Sequence, residues 1–279
     1  MSMMSTIAMD RKSLIQNILR RKPMVDSLAI QSALKAAGHY SGELDGIFGP
    51  RSRAAVDAAL KEAGVPFAAW PHSRRMVAIR QWVLKGAGFD PGAIDGQEGP
   101  KTRAALYAFS KPAGAALPWI KEAEAVMGLH EVVDGEELRA WLRKDGATLG
   151  DPAKLPWCGD FVETAIKLAL PKEKVPANPY LARNWADWGE DATRRYGAVI
   201  VFWRGTKKGT QGHVGFATAI DEARGLVEVL GGNQGNEVSL AWLGMDRILA
   251  WRAPKGWASK MPIIGDRSSG SAAISTNEA

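Results

Sequence analysis

The front of this 279-residue chain is written twice. Compared at a constant offset of 50 positions, Gln31, Leu34, Lys35, Gly38, Gly42, Asp45, Gly46, Gly49, Pro50, Arg53 and Ala54 recur as Gln81, Leu84, Lys85, Gly88, Gly92, Asp95, Gly96, Gly99, Pro100, Arg103 and Ala104. A self-similar segment of this size marks small supersecondary units placed in series, and one irregular domain would not produce it. Each copy reads as a helix closed by glycine (Gly38, Gly88), an Asp-Gly turn, and a Gly-Pro step into a second helix. Pro50 and Pro100 suit a first helical turn, where a missing N–H costs nothing. The second helices carry Ala55, Val56, Ala59 and Leu60, then Ala105, Leu106, Ala108 and Phe109, at the spacing of one buried face. Two small all-α bundles are expected, residues 23–66 and 67–112, after an N-terminal segment 1–22.

The turn Asp45-Gly46-Ile47-Phe48-Gly49 before a helix resembles the signature of the peptidoglycan-binding domain family of small three-helix modules, over roughly residues 20–112. The resemblance implies bacterial peptidoglycan as partner, with Asp45 and Phe48 as candidate ligand-binding residues. The second copy, Asp95-Gly96-Gln97-Glu98-Gly99, departs from the pattern by lacking the aromatic. Read from the residues alone, such turns also serve simply to close a fold. Charge points the same way as the resemblance. Residues 1–115 hold 16 Lys and Arg against 9 Asp and Glu, a net +7, whereas the remainder holds 20 against 21, a net −1. Such asymmetry fits attraction to an anionic polymer. A nucleic-acid module would interleave aromatic stacking positions with Arg or Lys, and the repeats show few, so cell wall is preferred and no nucleic-acid partner is expected.

Residues 113–117 form the expected linker, within Lys111-Pro112-Ala113-Gly114-Ala115-Ala116-Leu117-Pro118. The rest, at 46% hydrophobic and 24% charged residues over the whole chain, has the composition of a packed globular protein. Asp10, Arg11 and Lys12 interrupt the start too early for an ordinary secretion signal, and no segment approaches the roughly 20 apolar residues of a membrane helix. Synthesis in the cytoplasm, without membrane insertion and as a monomer, is the expectation. Residues 257–279 are expected to be a disordered tail.

Between these limits, residues 118–256 change pattern from helices (120–127, 136–143, 161–168) to strands (198–203, 213–220, 226–230), the order of an α+β domain with an antiparallel sheet. The single cysteine excludes an intramolecular disulfide, leaving its thiol as core filler or chemistry. Cys158 stands in Pro156-Trp157-Cys158-Gly159-Asp160 at the start of a predicted helix, where backbone N–H groups favour the attacking thiolate. His213 opens a strand in Gly212-His213-Val214-Gly215, placed to take the thiol proton. Asn233 follows the next strand in Gly231-Gly232-Asn233-Gln234, placed to hold the second imidazole nitrogen, with Gln234 and Glu228 as alternatives. Trp157, Asp160 and Gln234 are candidate substrate-binding residues, although Asp160 also reads as an ordinary first-turn helix carboxylate.

These three motifs, in this order, resemble the CHAP group of cysteine, histidine-dependent amidohydrolases and peptidases, related to NlpC-type endopeptidases and sharing a papain-like core. The resemblance implies cleavage of a peptidoglycan amide, either between glycan and stem peptide or within the peptide. A wall-binding front before a cutting back resembles phage endolysins, which act on the wall or in the periplasm after release. An antibacterial toxin with the same chemistry, and a non-catalytic wall-binding or virion structural protein, are the alternatives. His39, His72, His130 and His213 are scattered and no Asp-rich calcium loop is present, so neither a metal nor another cofactor is expected.

Overall fold

The computed structural model describes residues 25–111, 116–265 and Ser275. The chain divides into two compact units, residues 1–111 and 112–279. No helix among the described residues is long and apolar enough to cross a membrane. The expected segment 1–22 and most of the expected linker lie outside the described residues.

The front unit holds four described helices: α1 (Ser27–Ala36), α2 (Pro50–Glu62), α3 (His72–Gly86) and α4 (Pro100–Ser110). Asp26 caps α1, its side chain accepting from the Ala29 N–H at 2.6 Å, a bond type worth about 1 kcal/mol. The first helix of each copy ends in the same way. Gly38 (φ +81°) donates to Lys35 O and His39 to Leu34 O, and Gly88 (φ +95°) and Phe89 repeat both bonds to Lys85 and Leu84. This double bond pattern needs a left-handed residue at the helix end, which explains why glycine recurs there.

Ala55, Val56, Ala59 and Leu60 are buried as the spacing predicts, while in α4 Tyr107 is buried and Leu106, Ala108 and Phe109 are half-buried. The expectation of two bundles is revised by the packing. Ile30, Leu34, Val56 and Leu60 of the first copy belong to the same apolar cluster as Ile79, Val83, Leu84 and Ala105 of the second, so the duplication builds one core. α1 and α2 of the first copy both pack against α3 of the second.

The back unit begins with α5 (Pro118–Glu124), α6 (Gly135–Leu142) and α7 (Cys158–Ala169). A short 3-10 helix, Ala182–Asp187, leads to one antiparallel sheet of β1 (Glu190–Asp191), β2 (Val199–Trp203), β3 (Gly212–Asp221), β4 (Leu226–Gly231), β5 (Ser239–Gly244) and β6 (Ile248–Ala253). Their spatial order is β1-β6-β2-β3-β4-β5. The unit is therefore α+β, as expected. β3 and β4 are buried along almost their whole lengths and β2 along its first four residues, because α7 and the 3-10 helix pack against the sheet. Such strands read in sequence as continuous apolar runs rather than as alternation.

Large indoles fasten the helices to this sheet, each with its N–H satisfied: Trp119 donates to Gly197 O at 2.8 Å and Trp185 to Pro179 O at 2.8 Å. The unit also runs past the expected boundary at residue 256. Residues 257–265 are ordered against it, with Met261 and Ile264 buried and Tyr196 N–H donating to Pro262 O, so the expected tail is corrected there. Met261, Ile263 and Ile264 are the apolar signal in that stretch. Beyond it only Ser275 is described, and its N–H donates to Trp242 O at 3.0 Å.

Candidate active site

Cys158 is the first residue of α7 and lies at a cavity of about 620 Å3 whose wall includes Glu131, Leu155, Tyr180, Arg204 and Asn233. Two close approaches shape this place. A Cβ on Gly159 would lie 2.4 Å from Pro179 O and 2.8 Å from Tyr180 O, so only glycine lets the segment carrying Tyr180 and Leu181 cross the helix start. Trp185, by donating its indole N–H to Pro179 O, holds that segment down. A Cβ on Gly232 would strike the Trp157 ring at 2.4 Å and Phe161 Cβ at 2.7 Å, so the turn after β4 rests directly on the Trp-Cys motif. Two motifs about 75 residues apart in sequence thus meet through the absence of one side chain.

His213, the second residue of β3, is fully buried. Its Nε2 lies 3.1 Å from Oε1 of Gln234. The orientation of that amide is fixed by its other end, because Gln234 Nε2 donates to Ser239 O at 2.7 Å and to Val229 O at 3.2 Å. An oxygen in that place would face carbonyl oxygens, so Oε1 must be the atom turned to the ring. An oxygen can only accept, hence His213 carries a proton on Nε2, and in the neutral ring the basic lone pair stands on Nδ1. The amide oxygen expected from Asn233 is therefore supplied by Gln234, the alternative. Asn233 adopts φ +58°, a left-handed turn straight after β4, and lines the cavity beside Cys158. The same turn swings the next residue back beneath the imidazole.

Burial pushes the Cys158 thiol above its ordinary value; the N–H groups of Val214 and Gly159 and the charge of Arg204 oppose that push. Val214 follows His213 on β3, so the sulfur sits against the strand that bears the imidazole. The helix start favours the thiolate as expected from the sequence, but the burial of Cys158, 4% exposed, works against it and outweighs it.

The other candidates separate. Trp157 is buried and its Nε1 donates to Glu131 Oε2 at 2.9 Å, which makes it a wedge under the site rather than a surface for substrate. Glu131 is brought there by the bridge of His130 to Glu237 and by its own N–H on Asn236 O. Asp160 is buried away from the cavity. Its Oδ2 accepts from Thr148 Oγ1 and Leu149 N–H, both at 2.9 Å, and burial raises it to about 6. Glu163, one turn further along α7, is pushed up to about 8 by burial and by Asp145. Glu228 accepts from Thr218 Oγ1 at 2.7 Å within the sheet. Arg204 and Tyr180 border the cavity without having been singled out in the sequence; a lone cation directly after the run Val199–Trp203 was the available signal.

In the front unit Asp45 has a task inside the fold. Gln31, fully buried, donates from Nε2 to Asp45 Oδ1, Ile47 O and Ser52 Oγ, and accepts the Gly46 N–H on Oε1. The Gln31 and Ile47 bonds hold the Asp45 carboxyl below its ordinary value. Gln81, Asp95, Gly96, Gln97 and Thr102 reproduce this network in the second copy. Phe48 is half-buried against the front core, whereas Ile47 beside it is 70% exposed. Among the described residues no group of three or more His, Cys, Asp or Glu is arranged to hold a metal ion. Comparison of the chain with protein-family models, with curated proteins and with solved structures found no match.

Proposed function

We propose that this protein is a cysteine-dependent hydrolase that cleaves an amide bond of bacterial peptidoglycan, its duplicated front unit serving as an anchor on the wall. The observation that carries the chemistry is the contact of His213 Nε2 with Gln234 Oε1, on the strand whose next N–H, that of Val214, reaches the sulfur of Cys158 at a helix start. It leaves Nδ1 as the base and fixes the ring in place, the two requirements for activating a thiol. Burial disfavours the thiolate of Cys158, and its proton passes to Nδ1 as the sulfur attacks the amide carbon. The N–H groups of the first turn of α7, which have no acceptor inside the helix, are suited to the developing oxyanion. Nδ1–H then protonates the leaving amine, and water, deprotonated by the same nitrogen, hydrolyses the thioester. Peptidoglycan as substrate is supported by the Asp45-Gly46-Ile47-Phe48-Gly49 turn and by the net +7 of residues 1–115.

Mass spectrometry of fragments released from purified peptidoglycan tests this reading. The wild type should release fragments with a new amine and a new carboxylate, the sum of masses increased by one water. Cys158→Ala should release none while melting like the wild type. Fragments from a folded Cys158→Ala protein would remove the cysteine mechanism, and an inert wild type would remove the substrate.

A further inference from the structure

Resting on the role of the front unit as an anchor on the wall, we propose that its binding site is the cavity at the junction of the two copies, and that this cavity takes an N-acylated sugar of the glycan strand. The Asp-Gly turns are spent on the fold, since Gln31 and Gln81 hold Asp45 and Asp95, and Phe48 packs against the front core. The junction cavity, of about 430 Å3, is lined by Arg53, Val56 and Asp57 of α2 and by Trp70, His72 and Arg75 around the start of α3. It joins unlike parts of the two copies. The second-copy counterparts of Arg53 and Asp57 are Arg103 and Tyr107, so the acid of this wall is not written twice.

That acid is already engaged. Arg75 Nη1 donates to both Asp57 oxygens, at 3.1 and 3.0 Å, while its Nε and Nη2 donate to Trp70 O and Ala68 O. These bonds fix the turn that carries Trp70, and Arg74 steadies the half-buried indole, its guanidinium 4.0 Å from the ring centroid. What remains on the wall is a surplus of donors. Among the described residues no acceptor meets the Trp70 indole N–H or the His72 ring, and Arg53 uses only Nη1, on Phe48 O at 3.3 Å. A pyranose carries C–H groups on one face and oxygens at its rim, so a fixed indole covers the first while donors meet the second. Acyl carbonyl and carboxylate oxygens on the sugar add the acceptors that such a wall lacks. A peptide brings a backbone N–H for nearly every carbonyl, and this wall offers those N–H groups few acceptors.

The full chain, carrying Cys158→Ala so that it does not consume its ligand, should be sedimented with purified walls at low salt. It should also be titrated calorimetrically with the peptide-free disaccharide of N-acetylglucosamine and N-acetylmuramic acid, and with sugar-free stem peptide. The disaccharide is expected to bind and the peptide is not. Arg53→Gln together with His72→Ala, both at exposed positions that do not support the core, should weaken disaccharide binding by about 10-fold. Trp70→Ala should weaken it by about 30-fold, and Trp70→Phe by less because a flat ring remains, with thermal unfolding showing that each is folded. Disaccharide binding unchanged by the paired exposed substitutions would overturn the site. A chain that sediments with walls but does not bind the disaccharide would overturn the ligand, with the anchoring role intact in both cases. A chain that does not sediment with walls would sink the anchoring role, and this site with it.

Discussion

A buried glutamine organises both the turn of the front unit and the site of the back unit, but to different ends. Gln31 closes on partners 14 to 21 residues away within its own repeat, and Gln81 does the same in the second copy. Gln234 grips carbonyls nearby with its nitrogen and offers its oxygen to an imidazole on another strand. In the front the whole hydrogen-bonding capacity of the amide is spent on shape. In the back one acceptor is directed at an imidazole, and shape becomes a means of setting a tautomer.

The comparison breaks most sharply at His213. His213→Ala should lower turnover of a soluble peptide substrate by about 100- to 10,000-fold, the usual worth of a positioned base, with thermal unfolding showing a folded protein. A loss under tenfold would mean that the imidazole is not the base. Next in size is Gln234→Ala, expected to cost about 10- to 100-fold because the ring keeps its place in the sheet but loses the acceptor that fixes its tautomer. Asn233→Ala should cost less than Gln234→Ala in the same assay; the reverse order would return the orienting role to Asn233.

The front glutamine sharpens the contrast from the other side. Gln31→Ala removes the buried amide that holds the Asp45-Gly46 turn and should destabilise the front unit by about 2 kcal/mol in denaturant titrations. Its turnover on the soluble peptide should match the wild type, and a loss comparable to that of Gln234→Ala would erase the distinction drawn between the two amides.

The smallest effect concerns Glu163, whose buried carboxyl is raised from the ordinary 4.5 to about 8. The folded chain holds this proton more tightly than the unfolded one, so its contribution is complete below about pH 4.5 and is lost as pH rises through about 8. Glu163→Gln keeps the neutral shape and should remove most of that decline, so that it loses less stability than the wild type between about pH 6 and 8.5. Equal pH dependence of the two proteins in chemical denaturation would show that Glu163 ionises freely in the fold.

Much of this was legible before any coordinates, and the particular misses are instructive. The helix ends at Gly38 and Gly88, the start of α7 at Cys158 and the strands β2, β3 and β4 rest on local patterns, and each stands within a residue or a few of its expected place. β5 and β6 were not foreseen. Ser239–Gly244 and Ile248–Ala253 are rich in Leu and Ala, residues with little preference for strand, and they are extended because neighbouring strands pair with them. The order at 257–265 was missed for the same reason, since a few apolar residues do not announce which surface will accept them.

By itself the sequence determined the duplication, the α+β order of the back unit, and the places of Cys158 at a helix start and His213 on a strand, because caps, turns and apolar periods act over a few residues. Only the tertiary structure decided that the two copies share one core, that Trp157, Asp45 and Asp160 are engaged within the fold, and that Gln234 meets the imidazole. Those outcomes depend on which side chains meet across tens of residues, and on a single left-handed turn at Asn233 that exchanges the directions of two adjacent amides. Adjacent residues point apart, so a site position off by one in sequence is a different direction in space.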